Sequence, residues 1–186
     1  MTAGVDPKAY AIGAGTLYIA QIGTAEPASI SAPWDPGFVG LGYTQAGTTF
    51  TTGATVQAIT PAESYFPLAN VVTERTSTVD FELLQMTARN MQIAMNGGTI
   101  TAVGGGGGYT FDPPAPGQEV RWMIGWDSQD KTERFVWRQC FQIAATKRAM
   151  QKTTPAAGLT CSFSLELPGG GLQPFRYFVT AARYGS

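Results

Sequence analysis

The sequence predicts an all-β domain, a sandwich or flattened barrel, with one short α-helix flanking it. Two observations carry that expectation, and composition agrees with them. Apolar and polar residues alternate with a period of two in most segments, as where Val79, Phe81 and Leu83 face one way and Asp80 and Glu82 the other. Turn formers such as Ser128-Gln129-Asp130 and the Pro-Gly-Gly-Gly at 168–171 punctuate these runs. Only 13% of residues are charged while 44% are apolar, and Gly (23) and Pro (12) are abundant. That suits a β-rich chain whose surface is partly covered by partners, and it does not suit disorder.

Taken in order, residues 1–14 read as an N-terminal arm. A first strand is expected over Thr16–Ile22, followed by a Pro-rich loop and a second strand over Phe38–Thr44. Residues 45–70 are rich in Thr, Ala and Gly, and form an extended hairpin or a long mobile loop rather than a helix. Because this loop lies outside the expected core, residues 48–66 should be removable without loss of the fold. The strand Val71–Leu84 then gives way to helical spacing at Met86, Asn90 and Ile93. Thr87 is positioned to cap the start of that helix, and Asn96-Gly97-Gly98 to end it.

A short strand at Thr99–Val103 runs into five glycines, Gly104–Gly108, expected to form a flexible loop. Val120–Asp127 and Lys131–Phe141 form a hairpin, with Phe135, Trp137 and Phe141 on one face. A polar connection containing Lys147, Arg148 and Lys152 leads to the strand Gly158–Leu167. There Leu159, Cys161, Phe163, Leu165 and Leu167 alternate on one face. The last strand, Phe175–Thr180, is followed by a tail at 181–186. Residues 15–180 therefore make one domain.

The chemistry expected of an enzyme is missing from this sequence. It has no histidine, which removes the commonest general base and most catalytic zinc sites. No glycine is followed by lysine, so there is no phosphate loop, and Tyr18 stands where a dinucleotide fingerprint beginning at Gly13 needs its third glycine. Asp127 and Asp130 could be imagined as a hydrolytic carboxylate pair, but their place around a turn favours backbone hydrogen bonding. Trp34, Trp122, Trp126 and Trp137 could form a sugar-stacking platform, yet three of them alternate within one hairpin and favour packing. Lys147, Arg148 and Lys152 read as a solvated connection rather than a phosphate site. Cys140 and Cys161 are expected to be reduced, with Cys161 a small core residue. No enzyme activity, cofactor or metal is expected.

A net charge of −1 and a pI near 5.4 leave no basic surface for non-specific nucleic-acid or anionic-membrane binding. No apolar run is long enough to span a bilayer as a helix, and the N-terminus lacks the pattern of a signal peptide, so synthesis in the cytoplasm is expected.

The order of segments is also informative. GTLYIAQIGT is followed by PWDPGFVGLGYTQAGTTF, then TERTSTVDFELLQ and a short helix ending in NGG. An EVRWMIGWDSQDKTERFVW hairpin, GLTCSFSLEL and PFRYFVT complete the pattern. From about Gly15 to Thr180 the chain resembles the major tail protein, or tail tube protein, of long-tailed bacteriophages. The resemblance implies hexameric rings that stack into a hollow tube, a passage for genome DNA that does not bind it specifically. It further implies tape measure and tail terminator proteins as partners and a place in the tail of the virion. The arm Met1–Ala14 and the loop Gln45–Asn70 match the parts that bridge rings. The polar part of this loop carries only Glu63, which favours apolar contacts through Phe50, Tyr65, Phe66 and Leu68. Two other readings are compatible with the residues. One is a related phage structural protein, such as a tail terminator, head–tail connector or capsid decoration protein. The other is a carbohydrate-binding or adhesion module using the tryptophans.

Overall fold

The computed structural model describes residues 15–63, 65–147 and 158–181. The N-terminal arm, Arg148 and Lys152 of the polar connection, and the tail beyond residue 181 lie outside the described residues.

The strands are β1 (Gly15–Gln21), β2 (Val39–Gly40), β3 (Thr44–Ile59), β4 (Ala69–Leu83), β5 (Thr99–Ala102), β6 (Tyr109–Asp112), β7 (Trp122–Ser128), β8 (Glu133–Gln142), β9 (Leu159–Leu165) and β10 (Phe175–Val179); α1 spans Ala88–Ala94. All pairings are antiparallel. One eight-stranded sheet runs β2-β1-β7-β8-β9-β4-β3, and β10 joins it on β8. β8 thus has two partners along one edge: β10 pairs with Glu133–Trp137 and β9 with Cys140–Gln142. The sheet divides there and curls, which brings Phe50 of β3 to within 5.1–5.6 Å of the rings of Phe135, Trp137 and Phe175. This is the expected all-β fold with one short helix. Its sheet is not closed, since β2 and β3 are its ends.

The core lies inside the curl. It takes Leu17 and Ile19 from β1, Val79, Phe81 and Leu83 from β4, and Leu159, Cys161 and Phe163 from β9. Trp122, Ile124, Trp137 and Cys140 come from the central hairpin, and Ile93 and Ala94 from α1. The alternation read in β4 and β9 is the one observed, until β9 leaves the core and Leu167 becomes exposed.

The central hairpin departs from the expectation. Trp122 pairs with Cys140 but Ile124 pairs with Trp137, so two residue steps on β7 face three on β8. An extra residue in one strand inverts the facing of everything beyond it. Cys140, not Phe141, therefore follows Trp137 into the core, and Phe141 lies under the Arg121 guanidinium, 4.8 Å from its ring centroid. The predicted strand at Phe38–Thr44 shrinks to Val39–Gly40, because Phe38 turns into a separate cluster and Gly42 takes a positive φ of 85°. The glycine run is the tip of a β5–β6 hairpin, and the sequence reading contained no β6.

Helix α1 begins and ends as its sequence suggests. The Thr87 hydroxyl accepts from the Asn90 N–H at 3.1 Å. At the other end Asn96 adopts φ 54°, its N–H reaches the Ile93 carbonyl, and the Gly97 N–H reaches Gln92. This pair of reverse bonds is a Schellman closure. The buried Asn96 side chain adds a second function, donating to the Gln142 carbonyl and accepting from the Gln142 N–H, each at 2.8 Å. It thereby ties the helix end to β8. Asn96→Gly keeps the left-handed backbone but leaves the buried Gln142 groups unpaired, a loss of about 1–3 kcal/mol. Asn96→Ala adds roughly 1 kcal/mol of backbone strain. Denaturant unfolding of the two variants should rank them in that order.

Candidate assembly surface

Strands β3 and β4 pair from Thr48 opposite Phe81 to Ile59 opposite Ala69, with one shift of register between Thr55 and Val56. Residues 45–70 therefore take the hairpin form of the two the sequence allowed. At its base the hairpin is part of the core, but from Thr51 to Ile59 and from Ala69 to Thr76 every residue is exposed. A two-stranded ribbon of about seven residue pairs, roughly 23 Å long, thus stands clear of the domain. Short hydroxyl contacts run across it, including Ser77 Oγ to Thr52 Oγ1 at 3.1 Å and Thr73 Oγ1 to the Thr55 carbonyl at 3.2 Å. Thr55 faces Glu74 while Val56 faces Val72, which leaves Thr73 as a bulge that adds local twist.

The ribbon ends in a loop over residues 60–68, closed by a 2.8 Å bond from the Leu68 N–H to the Ile59 carbonyl. Tyr65, Phe66 and Leu68 gather there with exposures of 102%, 80% and 75%. Down the ribbon, Val56 and Val72 add apolar surface on one face and Ile59 and Val71 on the other. Three large apolar side chains so fully exposed at one tip mark a surface with a use for them. Phe50, the fourth expected contact, is placed elsewhere. It lies half-buried at the base, packed on Phe135, Trp137 and Phe175. Removing residues 48–66 would take Phe50 from the core and strip β4 of its partner strand, so the expected free excision of that segment is corrected.

The outer face of β1, β7 and β8 is covered differently. The Pro-rich loop folds over it, with Trp34 and Phe38 packed on Tyr18, Ala20, Met123, Val136 and Phe178. Trp34 lies directly on Gly125, where a Cβ would come within 2.4 Å of the indole. Two buried arginines of β8, Arg134 and Arg138, hold the loop. Arg134 bonds Asp127 with two nitrogens, donates to the Ser29 and Ala32 carbonyls at 3.0 and 2.7 Å, and sits 4.6 Å from the Trp34 ring centroid. The Trp34 indole N–H also reaches Asp127, at 2.9 Å. Arg138 binds Glu26 and the Gln173 carbonyl, and Arg176 approaches Glu26 at 3.4 Å. Asp127 is therefore a buried ion-pair partner rather than the turn residue the sequence suggested. Asp130 is the turn residue, accepting from the Ser128 and Thr132 hydroxyls. Sequence reading passed over these arginines, although Arg134, Val136 and Arg138 share one face of a strand whose centre is rich in large apolar residues.

The chemical candidates are occupied by structure. Asp127 is committed to Arg134 and Trp34, and Trp122 and Trp137 are core residues at 8% and 1% exposure. The described residues contain no group of three or more His, Cys, Asp or Glu placed to hold a metal, and no helix among them is long and apolar enough to cross a membrane.

Two outcomes follow from these placements. Burial raises the Cys140 thiol far above its ordinary range and pushes Cys161 up to about 12. Neither thiol should react with a disulfide reagent near neutral pH in the native protein, and both should react in denaturant. The Glu26 carboxyl is held below its ordinary range, first by the Arg138 hydrogen bonds. A depressed folded-state value means that its stabilising effect is present above the ordinary glutamate range and disappears as pH falls through the lowered value. The thermal midpoint of the native protein should therefore fall more steeply on acidification than that of Glu26→Gln.

No curated protein sequence matches the chain. A family described as phage tail tube protein matches residues 3–168, nearly the whole length. The all-β fold agrees with that match. The chain belongs to the phage tail tube protein family, the structural proteins of the tail tube of bacteriophages.

Proposed function

We propose that this chain builds the tail tube by forming hexameric rings that stack through the β3–β4 ribbon, and that genome DNA passes through the bore during ejection. The observation that carries the reading is the ribbon itself, which stands clear of its own domain and ends in exposed Tyr65, Phe66 and Leu68. Each such side chain contributes on the order of 2 kcal/mol when buried against a neighbour. Repetition around a ring multiplies that contribution, so a modest loss per subunit suffices to prevent stacking. β3 is paired on one side only, and a strand from a neighbouring subunit would complete it. The net charge of −1 suits a conduit that lets DNA slide without holding it. Tape measure and terminator proteins are the further partners under this reading, and the protein is made in the host cytoplasm before entering the tail.

The test respects the register. Residues 54–75 are replaced by Asn-Gly, which leaves Gly53 opposite Thr76 and keeps Phe50 and its neighbours in place. The shortened protein should fold with an unchanged β-sheet circular dichroism spectrum and a thermal midpoint close to that of the full chain. In negative stain the full chain should build tubes and the shortened one should not. Tubes of normal length from the shortened protein would overturn the role given to the ribbon. Single unstacked rings from the full chain would favour a tail terminator instead.

A further inference from the structure

The tip of the ribbon needs a receiving surface, and the same chain carries one of matching chemistry. At the base of the ribbon, where the sheet divides, the inner faces of β7, β8 and β10 open at one end of the domain. Phe135 lies there, stacked on Tyr177 with centroids 4.5 Å apart and 6.1 Å from Trp126. Phe175 adds a further ring against Phe50. Trp126, Phe135 and Phe175 are half-buried and Tyr177 is 42% exposed, so the rings form an aromatic mouth at the surface.

We propose that this mouth is the receptor for the ribbon tip of another copy, with Tyr65 and Leu68 set against Phe135 and Tyr177. The inference rests on the stacking role given to the ribbon and adds the surface on which the tip lands. Three observations choose a second copy as the occupant. The first is reach. Phe50 at the base and Ile59 near the tip are nine residues apart on one continuous strand, roughly 30 Å, so the tip cannot return to the mouth of its own chain without breaking its ladder. The second is area. Two aromatic side chains and a leucine cover on the order of 500 Å² on the tip, or about 1,000 Å² counting both sides, at the lower end of specific interfaces. The third is charge. Glu63 is the carboxylate of the tip loop, and Lys131, flanked by Asp130 and Glu133, is the exposed cation of the β7–β8 turn at the open end of the sheet. Glu63 and Lys131 are both exposed and outside any ion pair among the described residues. Made in one direction from copy to copy, with no reciprocal contact back, such a joint propagates rather than closing as a dimer.

Photocrosslinking in the polymer tests the contact. Benzoylphenylalanine replaces Tyr65 in a small fraction of chains, which are copolymerised with an excess of ¹⁵N-labelled native protein, illuminated and digested. Mixed-isotope crosslinks should join the residue-65 peptide to labelled peptides within 122–137 or 175–180. Crosslinks mapping elsewhere in tubes of normal appearance, or none between chains, would overturn this inference and leave the tail tube reading standing. If the labelled native protein builds no tubes, the stacking role fails and this contact fails with it. Glu63→Lys and Lys131→Glu should each raise the concentration needed for polymerisation, roughly two- to fivefold, and the paired reversal should recover much of the loss. A double variant no better than either single one would count against the stated orientation.

Discussion

The architecture depends on how strand β8 shares its edges. One edge carries β7 throughout, while the other is divided between β10 and β9. A strand can offer only one row of hydrogen-bonding groups per edge, so the two partners diverge where they meet. The three-for-two step between Trp137 and Cys140 falls at this division. It turns the second half of β8 so that Cys140 rejoins the core beside Cys161 and Phe163, while Arg138 stays outside to hold Glu26. The curl, the core and the anchored loop all follow from that one strand.

This explains which parts of the fold were legible in the sequence. Alternation works wherever a strand keeps one register, and it identified the buried faces of β4 and β9 residue by residue. It fails across the step in β8, because nothing in the composition of Arg138-Gln139-Cys140 announces an extra residue. Phe141 was misplaced for that reason. The helix was readable at both ends because caps are local chemistry, with Thr87 and Asn96 each acting within a few residues of itself. The buried pairing of Asp127 with Arg134 was not readable, since its cause lies in the loop that Trp34 brings across from far away in the chain. On the candidate surface the tip residues Tyr65, Phe66 and Leu68 were identifiable as apolar residues in a polar stretch. Phe50 looked the same by composition, and only the pairing of β3 with β4 separates it from them.

The ribbon also shows how one pair of strands serves two environments. Near its base, Phe50, Val79 and Phe81 bury apolar surface and hold the register. Further out there is no third layer, and an isolated two-stranded ribbon is marginal in water. Threonine and valine, which favour extended backbone, occupy much of that region, and the paired base fixes its direction. Stability in one half thereby supports exposure in the other.

The closure of α1 has a chemical consequence as well as a mechanical one. Asn-Gly is the dipeptide most prone to spontaneous deamidation, because the unhindered glycine nitrogen can attack the preceding side-chain amide and form a cyclic imide. In Asn96-Gly97 that nitrogen is engaged by the Gln92 carbonyl at 2.7 Å, and the amide it would attack is held at both ends by Gln142. Ring closure would require both sets of bonds to open together. The native fold thus slows the ageing of its most labile dipeptide through the same contacts that end its helix.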